Sequence, residues 1–507
     1  MLAIVALAFS VAACRAPSSQ PDSDAHRTRP NLVVFMVDDL GWQDVSLPLW
    51  TEPTEFNRRY RTPNLERLAS AGVTFTEAYA SAPVCTPTRT SLMTGRVPAR
   101  THITYWTLHA NRDTSRERDD LAAPAWRMNG LQPGERTVPG MLREVGYRTI
   151  HVGKAHFGAH DTGGADPLVL GFDVNIAGHA SGAPASYLGT DSFSRAGKSG
   201  NADADTVWDV PGLEDYHAED VFLTEALTTE ALRAVREAHA DGEPFFLNFC
   251  PYAVHTPLMA NARLLDSYAD LDEREARYAT MVESVDLALG ALLDELERLG
   301  IAGETLVVFT SDNGGLSATA RGGAPHTHNA PLRSGKGSAY EGGIRVPTVV
   351  RWPGHTAPGT RDATPIITHD LFPTLLAAAG VPETEVRREV IDGVDLSDRL
   401  DGRAALPPRT LGWNQPHQWG VNGPGIEPFT AIRYERWKLI FFHADRRFEL
   451  YDLETDIGEQ RDLSAEKPDI TRELARRMQD WITATGAQLS IDKRTGAEVE
   501  LPEAQAD

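Results

Sequence analysis

Apolar runs typical of buried strands alternate with helical patterns along the first part of the chain. The run at 31–37 is continuously apolar, as in a central parallel strand. Apolar residues with helical spacing over 273–299 predict the longest helix. The predicted strands cover 31–37, 73–75, 149–152, 245–249 and 306–310, and the predicted helices 64–71, 142–145, 219–238 and 273–299. This alternation predicts an α/β fold in which a large, mostly parallel sheet is sandwiched by helices.

The pattern changes after about residue 403. Residues 430–442 alternate polar and apolar over much of their length, and 448–453 form another strand-like run. Together with a helical pattern around 470–485, this predicts a small C-terminal antiparallel sheet plus helix. The expected organisation is an export segment and polar tether (1–29), a main catalytic domain (30–403), a C-terminal subdomain (404–490) and a tail (491–507).

The N-terminus has the pattern of an export signal. Residues 1–13 are apolar but too few for an ordinary transmembrane helix, and they lead into Val11-Ala12-Ala13-Cys14, which is similar to a bacterial lipobox. Residues 16–29 are polar, as in a tether. We therefore expect export from the bacterial cytoplasm, to the periplasm or to the outer membrane as a lipoprotein with lipid on Cys14. A simple signal peptide would instead give a secreted protein.

The net charge of the chain restricts its partners. The 507 residues carry a net charge of −22. Such an acidic surface disfavours non-specific binding to nucleic acid or to an anionic membrane, so we expect no nucleic acid partner and membrane contact only through the anchor. Solubility alone also accounts for this acidity. Any site for an anionic substrate must then be locally positive.

Polar residues follow three of the predicted strands at the point where each strand ends. Asp38-Asp39 comes after the first strand, Asp312-Asn313 after the last, and His255 after the one before it. In an open parallel sheet these ends meet along one edge, where ligands bind. Three carboxylates and an amide oxygen suit a hard divalent cation, calcium rather than magnesium, although such pairs are also common in solvated turns.

One short motif carries a family resemblance. Cys85-Thr86-Pro87-Thr88-Arg89, followed by a Ser/Thr-rich turn and Thr94-Gly95-Arg96, resembles the C-x-P-x-R signature of type I sulfatases, the formylglycine-dependent members of the alkaline-phosphatase-like superfamily. Ala155 replaces the family's usual Trp, which changes packing only. The resemblance covers about 30–480, with the motifs in the family's order. The phrases similar to its other motifs are Gly153-Lys154-Ala155-His156-Phe157-Gly158, His255-Thr256-Pro257, Ser311-Asp312-Asn313-Gly314-Gly315 and the segment from Gly335-Lys336 to Pro347.

The resemblance implies an alkaline-phosphatase-like fold and hydrolysis of sulfate monoesters. It implies that a formylglycine-generating maturation enzyme converts Cys85 to 3-oxoalanine (Cα-formylglycine). The hydrate of this aldehyde attacks sulfur, assisted by Asp312, and its second hydroxyl makes release of sulfate possible. One Ca2+ per chain is also implied. The metal ligands carried over from the family are Asp38, Asp39, modified Cys85, Asp312 and Asn313.

The same resemblance implies a catalytic set. Arg89 and Lys154 would hold the hydrate, to which His156 hydrogen-bonds before acting as the base in sulfate release. His255 and Lys336 would flank the leaving oxygen, where a histidine can donate a proton near neutral pH. Metal and cationic side chains neutralise the charge of the sulfate where water is excluded. The full catalytic set is Cys85, Arg89, Lys154, His156, His255 and Lys336.

Loops rich in aromatic and histidine residues are expected to select the substrate. Aromatic faces commonly stack on sugar rings, which favours a sulfated carbohydrate or polysaccharide. Packing of Trp413 and Trp419 at the subdomain interface is an equal alternative. These loops are at 104–106, His179, 326–328 and 413–419.

Two other functions are compatible with parts of this pattern. Phosphonate monoester and phosphodiester hydrolases share the superfamily, and some of them carry C-x-P-x-R. The other function is that of a glycan-binding surface lipoprotein with a decayed site, which the complete set of metal and cationic residues opposes. The cysteines fit the sulfatase interpretation, because Cys14 would be lipidated, Cys85 oxidised and Cys250 buried in a strand. No pair is left for a disulfide.

Overall fold

The computed structural model describes residues 29–201 and 203–502. In those ranges no helix is both long enough and apolar enough to cross a membrane. Cys14 and the lipobox-like segment lie outside the described residues, so the export signal stays a prediction.

Strands and helices alternate as the sequence predicts. In chain order the strands are β1 (Asn31–Val37), β2 (Val73–Phe75), β3 (Ala78–Tyr79), β4 (Leu121–Ala122), β5 (Arg148–Gly153), β6 (Val174–Ile176), β7 (Phe245–Cys250), β8 (Thr305–Ser311), β9 (Thr348–Arg351), β10 (Thr360–Asp362), β11 (Ile366–Ile367), β12 (Thr410–Gln415), β13 (Phe429–Tyr434), β14 (Trp437–Phe442), β15 (Arg447–Asp452) and β16 (Ile491–Asp492). The α-helices are α1 (Glu55–Arg59), α2 (Pro63–Ser70), α3 (Cys85–Thr94), α4 (Pro98–Thr101), α5 (Val138–Glu144), α6 (Arg195–Ser199), α7 (Leu223–Asp241), α8 (Glu273–Arg298), α9 (Glu341–Ile344), α10 (Leu371–Ala378), α11 (Glu383–Val386), α12 (Ser397–Leu400) and α13 (Pro468–Thr485).

The main sheet has eight strands in the order β10-β2-β9-β8-β1-β7-β5-β6. β9 runs antiparallel to both of its neighbours, and the other adjacent pairs are parallel. β1 is central, with Phe35 opposite Phe249 of β7 and Phe309 of β8. The predicted mostly parallel α/β sheet is therefore confirmed.

Both faces of the sheet are buried. Val33, Phe35 and Val37 of β1 belong to a core shared with α2, α7 and α8, whereas Leu32 and Val34 belong to a second core shared with α3, α5 and α10. Successive residues of a strand point to opposite faces, so a strand that is apolar at every position needs a helical layer on each side.

Capping residues set the helix boundaries, which the spacing of apolar residues alone predicts only approximately. The helix predicted at 142–145 begins earlier, as α5, because the Thr137 side chain accepts the N–H of Gly140 and Pro139 lies in the first turn. The helix predicted at 219–238 is α7, which begins at Leu223 and ends before Gly242, whose φ of +73° forms a left-handed cap.

The C-terminal part contains the predicted antiparallel sheet, in the order β12-β13-β14-β15. The run at 430–442 forms two of its strands, because the chain turns between Tyr434 and Trp437. One face of this sheet packs on the main domain through residues such as Trp413 and Tyr340. The other face packs on α13 through residues such as Met478.

The segment after residue 490 is not a loose tail in the part that the structure describes. β16 pairs with β4 of the main domain, and the side chain of Val499 is buried beside the second face of the C-terminal sheet. In its described part, the segment predicted as a tail (491–507) therefore packs on a surface that only the folded chain forms, and the division into domains stays a prediction.

Candidate active site

Cys85 begins a helix rather than a turn. The Ser/Thr-rich stretch after it is α3, in which all residues are buried, and Gly95 ends the helix with a φ of +70°. Pro87 lies in the first turn, where its missing N–H costs no helical hydrogen bond. The hydroxyls of Thr90 and Thr94 donate to the carbonyl oxygens of Pro87 and Thr90, at 3.0 and 2.9 Å, so these polar side chains can be buried. The helix presents Cys85 at the edge of the sheet.

The two aspartate-containing phrases meet at that edge because β1 and β8 are adjacent and parallel. The backbone N–H of Asp39 donates to Asp312 Oδ1 at 3.1 Å, and Asn313 Nδ2 donates to Asp39 Oδ1 at 2.8 Å. Asp38, Asp39, Asp312 and Asn313 are all fully buried. The convergence expected from the ends of the strands therefore occurs.

These side chains fit a divalent cation. Ligand atoms of Asp38, Asp39, Cys85 and His255 all lie within 4.8 Å of one another. Asn313 Oδ1 is buried without a hydrogen-bond partner, so its lone pairs are available to a cation. Asp312 lies beside this group, where its Oδ2 accepts from Arg89 Nε at 2.8 Å. The oxygen-rich set is what a hard cation prefers.

Cationic side chains balance the carboxylates. Lys154 Nζ lies 2.7 Å from both carboxylate oxygens of Asp38, and Lys336 Nζ lies 2.6 Å from Asp39 Oδ1. Burial raises the pKa of Asp38 despite Lys154. Burial acts the same way on Asp39, but Lys336 and His255 outweigh it and lower the pKa of Asp39. The carboxylates and the cationic side chains thus nearly cancel in charge. A bound metal cation would add the positive charge that an anionic substrate needs.

The Cys85 thiol is protonated at neutral pH. Burial raises its pKa to about 11, although Lys154 and Lys336 oppose that shift. Its Sγ lies 3.4 Å from Lys336 Nζ and 3.8 Å from Asp38 Oδ1. Because the thiolate is the reactive form of cysteine, the unmodified side chain is a poor nucleophile here. Cys250, the other cysteine in the described residues, is buried in β7 as predicted.

Both predicted histidines reach the site as neutral rings. His156 Nε2 donates to the carbonyl oxygen of Thr107 at 2.8 Å, which leaves Nδ1 as a buried acceptor without a partner. Burial, then Lys154, lower the pKa of His156. His255 Nδ1 donates to the carbonyl oxygen of Thr256 at 2.8 Å, and its Nε2 lies 3.6 Å from Asp39 Oδ2. Burial, then Lys336, lower the pKa of His255 to about 3. It can donate a proton only after an anion raises that pKa.

A cavity of about 880 Å³ opens above Cys85. Trp106 and Trp419 line it, and the Trp419 ring centroid lies 5.5 Å from Lys336 Nζ. Trp413 does not line it, because this ring is buried in the subdomain interface and donates to the carbonyl oxygen of Ala80 at 2.8 Å. The packing alternative is therefore confirmed for Trp413, and stacking of Trp419 on a sugar stays a prediction.

The remaining cavity residues separate into expected and missed ones. His326 lines the cavity as expected, whereas His179 and His328 do not. Trp208, Arg195 and Lys198 line it and were missed, because they lie in an irregular stretch without a motif.

Comparisons with known proteins match the chain to sulfatases. The family model named Sulfatase matches 30–381, and the model named N-sulphoglucosamine sulphohydrolase, C-terminal, matches 335–484. The chain is 30% identical over 481 residues to N-acetylgalactosamine-6-sulfatase of Mus musculus, covering 88% of this chain and 86% of that protein. It is 28% identical to a Sulfatase of Formosa agariphila, covering 96% and 95%.

A solved structure is similar along nearly the whole chain. The crystal structure of Ps i-CgsB in complex with k-i-k-neocarrahexaose has a TM-score of 0.71 at 27% identity, covering 93% of this chain and 95% of that one. Fold and family model agree, and the family model alone spans more than half of the residues. The chain therefore belongs to the sulfatase family, with an alkaline-phosphatase-like fold, and is a sulfuric ester hydrolase.

Proposed function

We propose that this sulfatase releases inorganic sulfate from a sulfated carbohydrate, with one bound calcium ion and with Cys85 converted to formylglycine. The observation that carries the proposal is the position of Cys85, at the floor of a cavity with tryptophan walls and 3.4 Å from a buried lysine. The neocarrahexaose complex of Ps i-CgsB and the name of the mouse relative support a carbohydrate substrate.

The raised pKa of Cys85 supports its modification. A thiol that stays protonated at neutral pH attacks a sulfate ester slowly. After conversion to formylglycine, the hydrated side chain would supply one hydroxyl that attacks sulfur as the sugar oxygen leaves, and a second that loses its proton as sulfate leaves and the aldehyde re-forms. Lys154 and Arg89 would neutralise charge beside this position, since Lys154 Nζ lies 2.7 Å from the Asp38 carboxylate and Arg89 Nε donates to Asp312 Oδ2 at 2.8 Å. His156 Nδ1 is the free acceptor that can take a proton.

Asp38, Asp39, Asp312 and Asn313 would hold calcium, which neutralises the charge of the sulfate. His255 Nε2 and Lys336 Nζ both line the cavity beside Asp39, at 3.6 and 2.6 Å from its carboxylate oxygens, and would serve the leaving oxygen. Lys336 stays charged, because Asp39 outweighs burial and raises the pKa of the lysine. The anionic substrate would raise the pKa of His255, so the proton donor becomes available when substrate binds.

The substrate class can be tested with a panel of esters. Purified protein co-expressed with a maturation enzyme is assayed on sulfated mono- and oligosaccharides, 4-nitrophenyl sulfate, 4-nitrophenyl phosphate and a phosphodiester. Peptide mass spectrometry reports the conversion of Cys85. We expect release of sulfate from a sugar. Activity confined to the phosphorus esters would favour the phosphonate monoester or phosphodiester hydrolase alternative. Full activity with unmodified Cys85 would show that the reaction does not require formylglycine.

The leaving-group role can be tested with a second pair of assays. His255→Ala should lower kcat/KM on a sulfated sugar about 10²-fold or more, but much less on 4-nitrophenyl sulfate, whose leaving group needs no proton. His156→Ala should slow both substrates. Equal losses for His255→Ala on the two substrates would assign the proton to Lys336 instead.

We also propose export of the protein, because the lipobox-like Val11-Ala12-Ala13-Cys14 follows an apolar run. Expression in a bacterial host followed by fractionation should place the protein outside the cytoplasm. Cys14→Ser should abolish a lipid-dependent mass increase. Cytoplasmic protein with an intact N-terminus would contradict export.

A further inference from the structure

The outer wall of the cavity carries two cations that the proposed mechanism does not use. Arg195 and Lys198 lie on α6 and line the same cavity as Cys85. We propose that they form a second anion-binding subsite, which holds another anionic group of a glycan whose target sulfate lies at Cys85. The proposal rests on the proposed function and narrows its substrate to a glycan with more than one negative charge.

The charge of the cavity is opposite in sign to that of the protein. The whole chain carries −22, yet Asp39 is the only carboxylate among the described residues that line the cavity. Asp39 is already compensated by Lys336, at 2.6 Å. Arg195 and Lys198 are thus the two exposed cations among the described residues that line the cavity. A locally positive mouth attracts an anionic ligand to a protein that would otherwise repel it.

Neither cation has an ionic partner in residues 29–201 and 203–502. No carboxylate oxygen there lies within 4.0 Å of either charged group. Lys198 Nζ has only a long contact of 3.5 Å to the carbonyl oxygen of Ala185. Asp209 accepts the backbone N–H of Arg195 at 2.8 Å, not its guanidinium. By contrast, Arg233 on α7, also exposed, pairs with two glutamates on its own helix.

The helix that carries the two cations is held in place. A Cβ at Gly197 would lie 1.9 Å from the carbonyl oxygen of Asp191, so α6 packs against the preceding turn at a distance that only glycine allows. The hydroxyl of Tyr187, in the same stretch, lies 2.8 Å from the carbonyl oxygen of His255. The backbone that carries the two cations is thus fixed, and their exposed side chains extend from it to where a ligand can contact them.

The cavity has room for more than the reacting sugar. Its volume of about 880 Å³ lies toward the upper end of small-ligand pockets, and Trp106, Trp208 and Trp419 supply its aromatic walls. Cys85 is at the floor, whereas the exposed Arg195 and Lys198 are at the opening. A glycan that extends outward from Cys85 would therefore bring its neighbouring anionic groups to this pair.

The subsite can be tested by measuring ligand binding to an inactive variant, so that the probes are not hydrolysed. Cys85→Ala protein, with and without Arg195→Gln and Lys198→Gln, is titrated by calorimetry with chondroitin, carrageenan and heparin tetrasaccharides that carry several sulfates, and with singly sulfated counterparts. We expect the double substitution to weaken binding of at least one multiply sulfated probe about tenfold, and of its counterpart less than twofold. The tenfold difference should shrink when salt rises from about 50 to about 500 mM.

Lys467→Gln with Arg476→Gln is the matched control, because these exposed cations lie outside the cavity. Equal affinities with and without the cavity substitutions, or no binding of any multiply sulfated probe, would overturn the subsite. The proposed function is judged separately, by release of sulfate from sugars by the wild-type enzyme. A wild type that hydrolyses only singly sulfated sugars would keep the function and reject this inference.

Discussion

Replacing Lys438 by Met tests whether a buried ionic cluster joins the C-terminal subdomain to the segment that carries Lys336. Lys438 lies on β14 and is fully buried. Its Nζ lies 3.0 Å from Glu341 Oε1 and 2.8 Å from Glu459 Oε1. Glu341 follows Lys336 in the same glycine-rich phrase. Methionine keeps most of the side-chain volume and removes the charge, so the cost reports the ionic cluster rather than a cavity.

Without Lys438, the Glu341 and Glu459 carboxylates would keep different numbers of partners. Glu341 keeps Arg345 at 3.3 Å and the Tyr79 hydroxyl at 2.7 Å, whereas Glu459 keeps the backbone N–H of Glu341 at 2.7 Å. Removing one partner of a buried ion pair costs about 3–5 kcal/mol, because a charge is left uncompensated. A chain of 507 residues unfolds with an entropy of about 1 kcal/mol/K, so Tm should fall by about 3–5 °C.

The loss should depend on pH in a defined direction. Burial, then Glu341, raise the pKa of Glu459, so the stability from this group is present at low pH and lost as pH rises through that pKa. Burial opposes ionisation of Glu341, but Lys438 and Arg345 lower its pKa, so its contribution is lost as pH falls. Without Lys438 both pKa values rise. The deficit of the variant should therefore grow with pH, by up to about 1.4 kcal/mol per pH unit for each group.

Thermal unfolding followed by tryptophan fluorescence at about pH 5.5 and about pH 8 measures both effects. Lys467→Met, which changes an exposed lysine of the same subdomain, should shift Tm by less than about 1 °C. Adding Glu459→Gln to Lys438→Met should restore part of the lost stability, because it removes the carboxylate that Lys438 no longer neutralises. A Tm for Lys438→Met within 1 °C of wild type, or a deficit that does not grow with pH, would refute the reasoning.

Three further substitutions probe the site. Asp38→Ala should remove most of the bound metal by elemental analysis and lower kcat about 10³-fold; unchanged metal content would contradict its role as a ligand. Gly182→Ala would place a Cβ 2.4 Å from His156 Cε1, so kcat on every sulfate ester should fall about tenfold, unlike Gly303→Ala, which meets open space. Trp419→Ala should raise KM for a sulfated glycan about tenfold; an equal rise for 4-nitrophenyl sulfate would argue against stacking on sugar.

The class of fold and the residues that meet at the candidate site were predictable from the sequence. Continuously apolar runs identify strands buried on both faces, so the parallel sheet and its central strand at 31–37 were predictable. Asp38-Asp39 and Asp312-Asn313 follow directly from strand ends, and the ends of adjacent parallel strands meet. The motif around Cys85 identified the family because its chemistry requires particular residues at fixed spacing along one local segment.

Tertiary structure decided the features that depend on contacts distant in sequence. Helical α3 in place of a turn depends on hydroxyls that bond to nearby carbonyls once the helix is buried. Burial sets the protonation of Cys85 and His255, and no pattern along the chain measures burial of that kind. Trp413 and Trp419 lie in the same aromatic-rich loop and could not be told apart by sequence. Packing buries Trp413 in a core and places Trp419 in the cavity wall. Arg195 and Lys198 belong to no motif, so only the folded wall of the cavity reveals them.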